Sequence, residues 1–101
     1  MSEPVLEIAE ITIREGAEDA FIGGVRAALP VFQAAAGFRS LKLRRSIERP
    51  AVFRLMIEWD RLEDHTIGFR QSPGFARWRE LVGAFFDGTP VVDHSRTVVE
   101  T

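Results

Sequence analysis

Residues 38–59 read FRSLKLRRSIERPAVFRLMIEW, two alternating stretches separated by Glu48-Arg49-Pro50-Ala51. Alternation with a period of two is the pattern of a strand with one covered face. In the first stretch, Phe38–Ile47, the side chains of Leu41, Leu43 and Ile47 share a phase with Arg39 and Arg45, and Phe38, Ser40, Lys42 and Arg44 take the other. In the second, Val52–Trp59, one face carries Phe53, Leu55, Ile57 and Trp59 and the other Val52, Arg54 and Met56. The short connection makes the pair an antiparallel hairpin.

Upstream, Val5–Arg14 reads as a strand of imperfect alternation. Leu6 and Ile8 lie in one phase and Ala9, Ile11 and Ile13 in the other, so either both faces are partly covered or a bulge shifts the phase near Ala9. Ala17–Ala36 reads as a helix with Phe21, Val25, Ala28, Leu29 and Phe32 on one face. Gly23-Gly24 weakens that helix, Pro30 is expected to kink or divide it, and Gly37 stops it. Downstream, a helical stretch opens at Asp60, an expected N-cap with Glu63 at capping-box spacing, and runs to about Gln71. Ser72 then caps a second piece with Pro73 at its first position and Phe75, Trp78, Leu81, Val82 and Phe85 along one stripe. Val91–Val99 forms the last strand.

The order β-α-β-β-α-β, with the second helix split at Ser72-Pro73, predicts an α+β, ferredoxin-like domain. It has an antiparallel four-stranded sheet with helices on one face, and a single domain takes in residues 1–101. Roughly 65% of the extended-chain surface is buried at this size. The uncovered sheet face, with Leu6, Ile8 and Met56, therefore predicts a homodimer.

Composition narrows the partners. A net charge of −2 offers no general hold on a phosphate backbone, so nucleic acid is not expected. No apolar run nears the ~18 residues of a membrane span, and no basic-then-apolar leader follows Met1, so a cytoplasmic protein is expected. With Cys absent, thiolate chemistry and cysteine metal sites are excluded. Two His without i,i+4 spacing make no metal motif. Eight Phe and two Trp accompany no Tyr, and Lys42 is the sole lysine among thirteen basic residues.

The stretch Trp59-Asp60-Arg61-Leu62-Glu63-Asp64-His65, followed by Ser72-Pro73-Gly74-Phe75-Ala76-Arg77-Trp78, resembles the antibiotic biosynthesis monooxygenase (ABM) domain family. The likeness extends to the Glu15-Gly16 exit of the first strand and the Ala36-Gly37-Phe38 passage into the second, and covers about residues 4–99. It implies a dimeric α+β barrel of two protomers packed sheet to sheet, with an apolar pocket between sheet and helices. It further implies oxidation of phenolic, anthrone, quinol or polyketide-type aromatics by molecular oxygen without a bound cofactor. The protein's share of that chemistry is a base, desolvation and orientation. The chain departs from the pattern where many quinol-oxidising members have a His four residues before the helix-junction proline. Phe69 stands there, with His65 one turn earlier. Ala9 and Arg79 stand about where the haem-degrading branch needs Asn and His, although Trp59 matches its Trp, so haem degradation is disfavoured.

His65 and His94 are the candidate catalytic residues, because His titrates near neutral pH. The competing reading makes His65 a packing residue held by Asp60 or Glu63, and lets His94, on a face with Val92 and Val98, line either pocket or interface. Trp59, Phe69, Phe75 and Trp78 are candidates to bind an aromatic or apolar ligand, and otherwise simply core. Arg44 and Arg54, from the hairpin cluster with Arg39, Arg45 and Arg49, are candidates to steady a developing oxyanion. The cluster's other reading is an exposed face paired with Glu7, Glu10 and Glu58. The alternative to an oxygenase is a non-catalytic, small-ligand-binding dimer of the same fold.

Overall fold

A computed structural model of the chain describes residues 3–101. Four strands, β1 (Val5–Thr12), β2 (Phe38–Arg45), β3 (Val52–Trp59) and β4 (Val91–Ser95), form one antiparallel sheet in the order β2-β3-β1-β4. Helices α1 (Glu18–Gln33) and α2 (Pro73–Val82) cover one face, with a π-helical turn, Asp64–Phe69, between β3 and α2. This is the expected ferredoxin-like α+β architecture with its split second helix.

β1 has no bulge at Ala9. Its pairing with β3 runs unbroken from Val5↔Trp59 to Thr12↔Val52, so Val5, Glu7, Ala9 and Ile11 all face the helices. Both faces are covered in part, because Leu6 and Ile8 on the other side are half-buried. The irregularity lies in β2 instead, between Phe38 and Ser40, and it moves Phe38 onto the inner face against Trp59. Ile47 falls beyond β2 and is 89% exposed rather than sharing the Leu41–Leu43 face.

α1 continues through Pro30, contrary to the expected kink. Proline removes only the bond to the Arg26 carbonyl, and both residues lie on the wet side, where water satisfies that oxygen. The helix ends at Gln33, and Gly37, at φ +81, turns the chain into β2. Gly24 has a packing reason: a Cβ there would sit 2.7 Å from the Leu81 carbonyl of α2, so the glycine lets the helices meet. The core is aromatic at this end. Phe32 stacks on Phe69 at 4.9 Å and meets Trp78 edge-on at 5.1 Å.

The capping box expected at Asp60 and Glu63 does not form. Asp60 lies near Arg39, at 3.6 Å, and Asp64 Oδ2 accepts from the Arg61 backbone N–H at 3.1 Å. Ser72 occupies the N-cap of α2 in extended conformation, yet its hydroxyl donates backwards to the Phe69 carbonyl at 2.6 Å. That bond closes the π-helical turn onto α2.

Candidate functional site

The helix-facing phase of β1 puts a carboxylate, Glu7, among Val5, Ala9 and Ile11, where it is 5% exposed. Such a group is costly to bury unless bonded. Trp59, ending β3, donates its indole N–H to Glu7 Oε1 at 2.9 Å, and His65 Nε2 lies 3.3 Å from the same oxygen. Glu7 Oε2 has no hydrogen-bond partner among the described residues. Because no fully buried side-chain nitrogen or oxygen among the described residues lacks one, Oε2 opens to the cavity that Glu7 lines.

His65 reaches this position through the π-helical turn, whose i→i+5 bond joins the Arg70 N–H to the His65 carbonyl at 3.2 Å. The wider turn aims both His65 and Phe69 into the protein. The His65 ring stacks on Trp59 at 5.6 Å with a 20° tilt. Its other nitrogen, Nδ1, meets His94 Nε2 at 2.8 Å, an approach made possible by the pairing of Glu7 with His94 across β1 and β4.

The result is a chain, Trp59–Glu7–His65–His94. One hydrogen pattern satisfies it with neutral imidazoles: His94 Nε2–H donates to His65 Nδ1, and His65 Nε2–H donates to Glu7. Burial pushes the Glu7 carboxyl up from 4.5 to about 7, against the pull of the Trp59 N–H and of the Arg70 charge. Burial pushes His65 down from 6.5 to about 4, helped by His94 and Arg70, and lowers His94 as well. Near neutral pH the carboxyl therefore exchanges its proton. These residue types are those of a two-His, one-carboxylate metal site. Their geometry is linear, however: His65 points one nitrogen at Glu7 and the other at His94. No single point lies ~2 Å from a donor of each.

Glu7 and His65 line a cavity of about 210 Å³ between sheet and helices, walled by Phe69, Phe75 and Trp78. Arg70 and Arg79 lie on its lining too. A larger open hollow of about 570 Å³ runs beside Ser95–Glu100 and contains none of these groups.

The sequence candidates divide accordingly. His65 and His94 come together, though His65 is held by Glu7 and His94 rather than by Asp60 or Glu63. His94 shares its inward face with Val92, but Val98 lies past β4 and is 93% exposed. Phe69, Phe75 and Trp78 line the cavity, whereas Trp59 lies behind His65 and Glu7, fully buried. Arg44 and Arg54 pair with each other across β2 and β3 on the opposite sheet face, away from the cavity, so neither can reach an oxyanion there. Arg54 bonds Glu10 at 3.2 Å, and Arg49 lies 3.8 Å from it, as an exposed-face reading expects. Glu7 is not part of that face. Sequence reasoning missed Glu7, Arg70 and Arg79 as site residues. The signal for Glu7 was present, since it shares a phase with Val5, Ala9, Ile11 and Ile13.

The fold has counterparts. The chain is 35% identical over 94 residues to the uncharacterised protein YczJ of Bacillus subtilis (strain 168), covering 93% of this chain and 99% of that one. A crystal structure from Bordetella bronchiseptica, provisionally named an antibiotic biosynthesis monooxygenase, superposes with a TM-score of 0.95 at 39% identity, over 97% of this chain and 100% of that one. SnoaB of Streptomyces nogalater, a cofactor-independent oxygenase solved as a mutant, shares the fold. Its TM-score is 0.81 at 17% identity, over 98% and 97% of the two chains. The family model described as antibiotic biosynthesis monooxygenase matches residues 4–81. By that match and these relatives, the chain belongs to the antibiotic biosynthesis monooxygenase family.

Proposed function

We propose that the protein is a cofactor-independent monooxygenase for a small phenol or quinol, with Glu7 as the general base. The observation that carries this is the free Oε2 of a buried carboxyl, raised to about 7, opening onto an aromatic-walled cavity. A base poised near the working pH is the efficient choice for removing a phenolic proton. Glu7 takes that proton and later returns it to the departing oxygen, while His65, braced by His94, donates to Oε1 and holds the carboxyl in place. The phenolate gives an electron to molecular oxygen and the resulting radical pair combines at a ring carbon as a peroxide. Loss of water leaves one oxygen atom on the carbon as a carbonyl. The other leaves with the two hydrogens lost by the substrate, so oxygen is the only oxidant needed. An engineered cavity of ~150 Å³ holds benzene. At about 210 Å³ this one encloses a single-ring phenol or quinol, and a polycyclic anthrone would project through the mouth.

Oxygen uptake with a panel of hydroquinones and anthrones tests the reading. Uptake by the wild type, lost in Glu7→Gln and His65→Ala, supports it, and no uptake above those variants ends it. The second reading, a ligand-binding protein without catalysis, draws on the fact that both His65 nitrogens are occupied within the chain. It predicts saturable binding of the same phenols with no oxygen consumed.

The uncovered sheet face supports a homodimer in both readings. Leu6, Ile8 and Met56 are half-buried there and Val91 is 66% exposed, with the Glu10–Arg54 pair among them. A second copy would cover this apolar strip. Light scattering at micromolar concentration is expected to give twice the chain mass, reduced to one chain by Ile8→Glu. A monomeric wild type would overturn the packing argument. No described helix is long and apolar enough to cross a membrane.

A further inference from the structure

The cavity has a polar floor and an apolar middle, and its exposed lining carries two cations. Arg70 leaves the π-helical turn and Arg79 projects from α2, so two separate elements bring a guanidinium to the same opening. Both are exposed, and neither has a carboxylate within 4.0 Å among the described residues. Their neighbour Arg77 differs, being paired with Glu80 at 3.2 Å. Arg79 lies over the Phe75 ring at 6.0 Å, which keeps its head beside the aromatic wall. The lining thus holds two positive groups against one carboxyl, and that carboxyl is at the floor.

We infer that the substrate is an aromatic acid, its ring against Phe69, Phe75 and Trp78 and its carboxylate engaged by Arg70 and Arg79. Planar guanidinium groups match a carboxylate in geometry as well as in charge. Glu7 sets the orientation, because an anion at the floor would meet its carboxylate and a phenolic hydroxyl would bond to it. The acid therefore lies at the mouth and the hydroxyl at Glu7. The inference rests on the cavity being the substrate site and adds what the substrate must carry.

Binding under nitrogen, where no turnover occurs, tests it apart from the oxygenase reading. Calorimetry at pH 7.5 compares 2,5-dihydroxybenzoate with hydroquinone and with methyl 2,5-dihydroxybenzoate, which keeps the bulk and loses the charge. The acid is expected to bind about tenfold tighter than either neutral probe at low salt, with the gap narrowing as salt rises. Arg70→Gln and Arg79→Gln should each narrow it, the double variant should close it, and Arg77→Gln should leave it unchanged. Equal affinity for acid and ester in the wild type, or a gap that survives in the double variant, would overturn the inference. A gap without aerobic oxygen uptake would uphold the anion site and remove the oxygenase. Uptake with hydroquinone but no gap would do the reverse.

Discussion

Glu7 and Glu10 stand on the same strand, and their odd spacing sends them to opposite faces of the sheet. Glu10 is 41% exposed and lies within reach of Arg54 and Arg49. Glu7 is 5% exposed, with no arginine in contact, and its partners are an indole N–H and an imidazole. On the outer face water screens the charges, and such a pair contributes at most about 1 kcal/mol. On the inner face desolvation acts on the carboxyl instead and shifts its proton affinity into the neutral range. One residue type thus serves surface pairing on one side of a strand and, in the proposed reaction, acid–base chemistry on the other.

The largest expected effect separates the two residues by rate. Glu7→Gln should lower kcat/KM for oxygen uptake by about 10²–10⁴, the usual contribution of a positioned base, while Glu10→Gln leaves it within about twofold. Comparable losses in both variants would break the contrast.

Stability against pH gives the next contrast. Folded Glu7 keeps its proton up to about pH 7 while the unfolded chain releases it near 4.5, so its contribution to stability falls as pH rises through that window. His65 runs the other way. The unfolded chain takes a proton below about 6.5 that the folded chain refuses down to about 4, so stability falls as pH drops through that range. In the wild type the two slopes oppose and the profile is shallow. Glu7→Gln removes only the first, and thermal melts should show the variant gaining about 3 kcal/mol on the wild type between pH 4.5 and 8. A pH-independent difference would contradict the assignment. Trp59→Phe should cost about 1–3 kcal/mol in denaturant unfolding and move Glu7 further upward, since the indole N–H, with the Arg70 charge, lowers it. Smallest of all, Arg54→Gln should change stability by less than about 1 kcal/mol.

The hairpin at 38–59 was legible because its alternation and its turn agree, and Ser72-Pro73 marked the break in the second helix through local chemistry alone. Two things were hidden. The π-helical turn carries no period that residue spacing reveals, and it is what turns His65 toward Glu7. The meeting of His65 with His94 depends on the β1–β4 register, set between strands about eighty residues apart by packing rather than by any local signal. Glu7 was hidden for another reason: a charge in a strand is ordinarily assigned to solvent, and its phase among Val5, Ala9 and Ile11 argued otherwise. The Arg44–Arg54 patch drew attention by its density, while the arginines at the cavity, Arg70 and Arg79, come from two separate helical elements.

The protonation of Glu7 is the claim on which the rest depends. Carboxyl ¹³C NMR across pH 3–9, with the Glu7 resonance assigned by its loss in Glu7→Gln, measures it directly. A midpoint near 7 is the predicted result. A midpoint at or below 4.5 would show a carboxyl with no upward shift, and would contradict its role as a base poised near neutral pH.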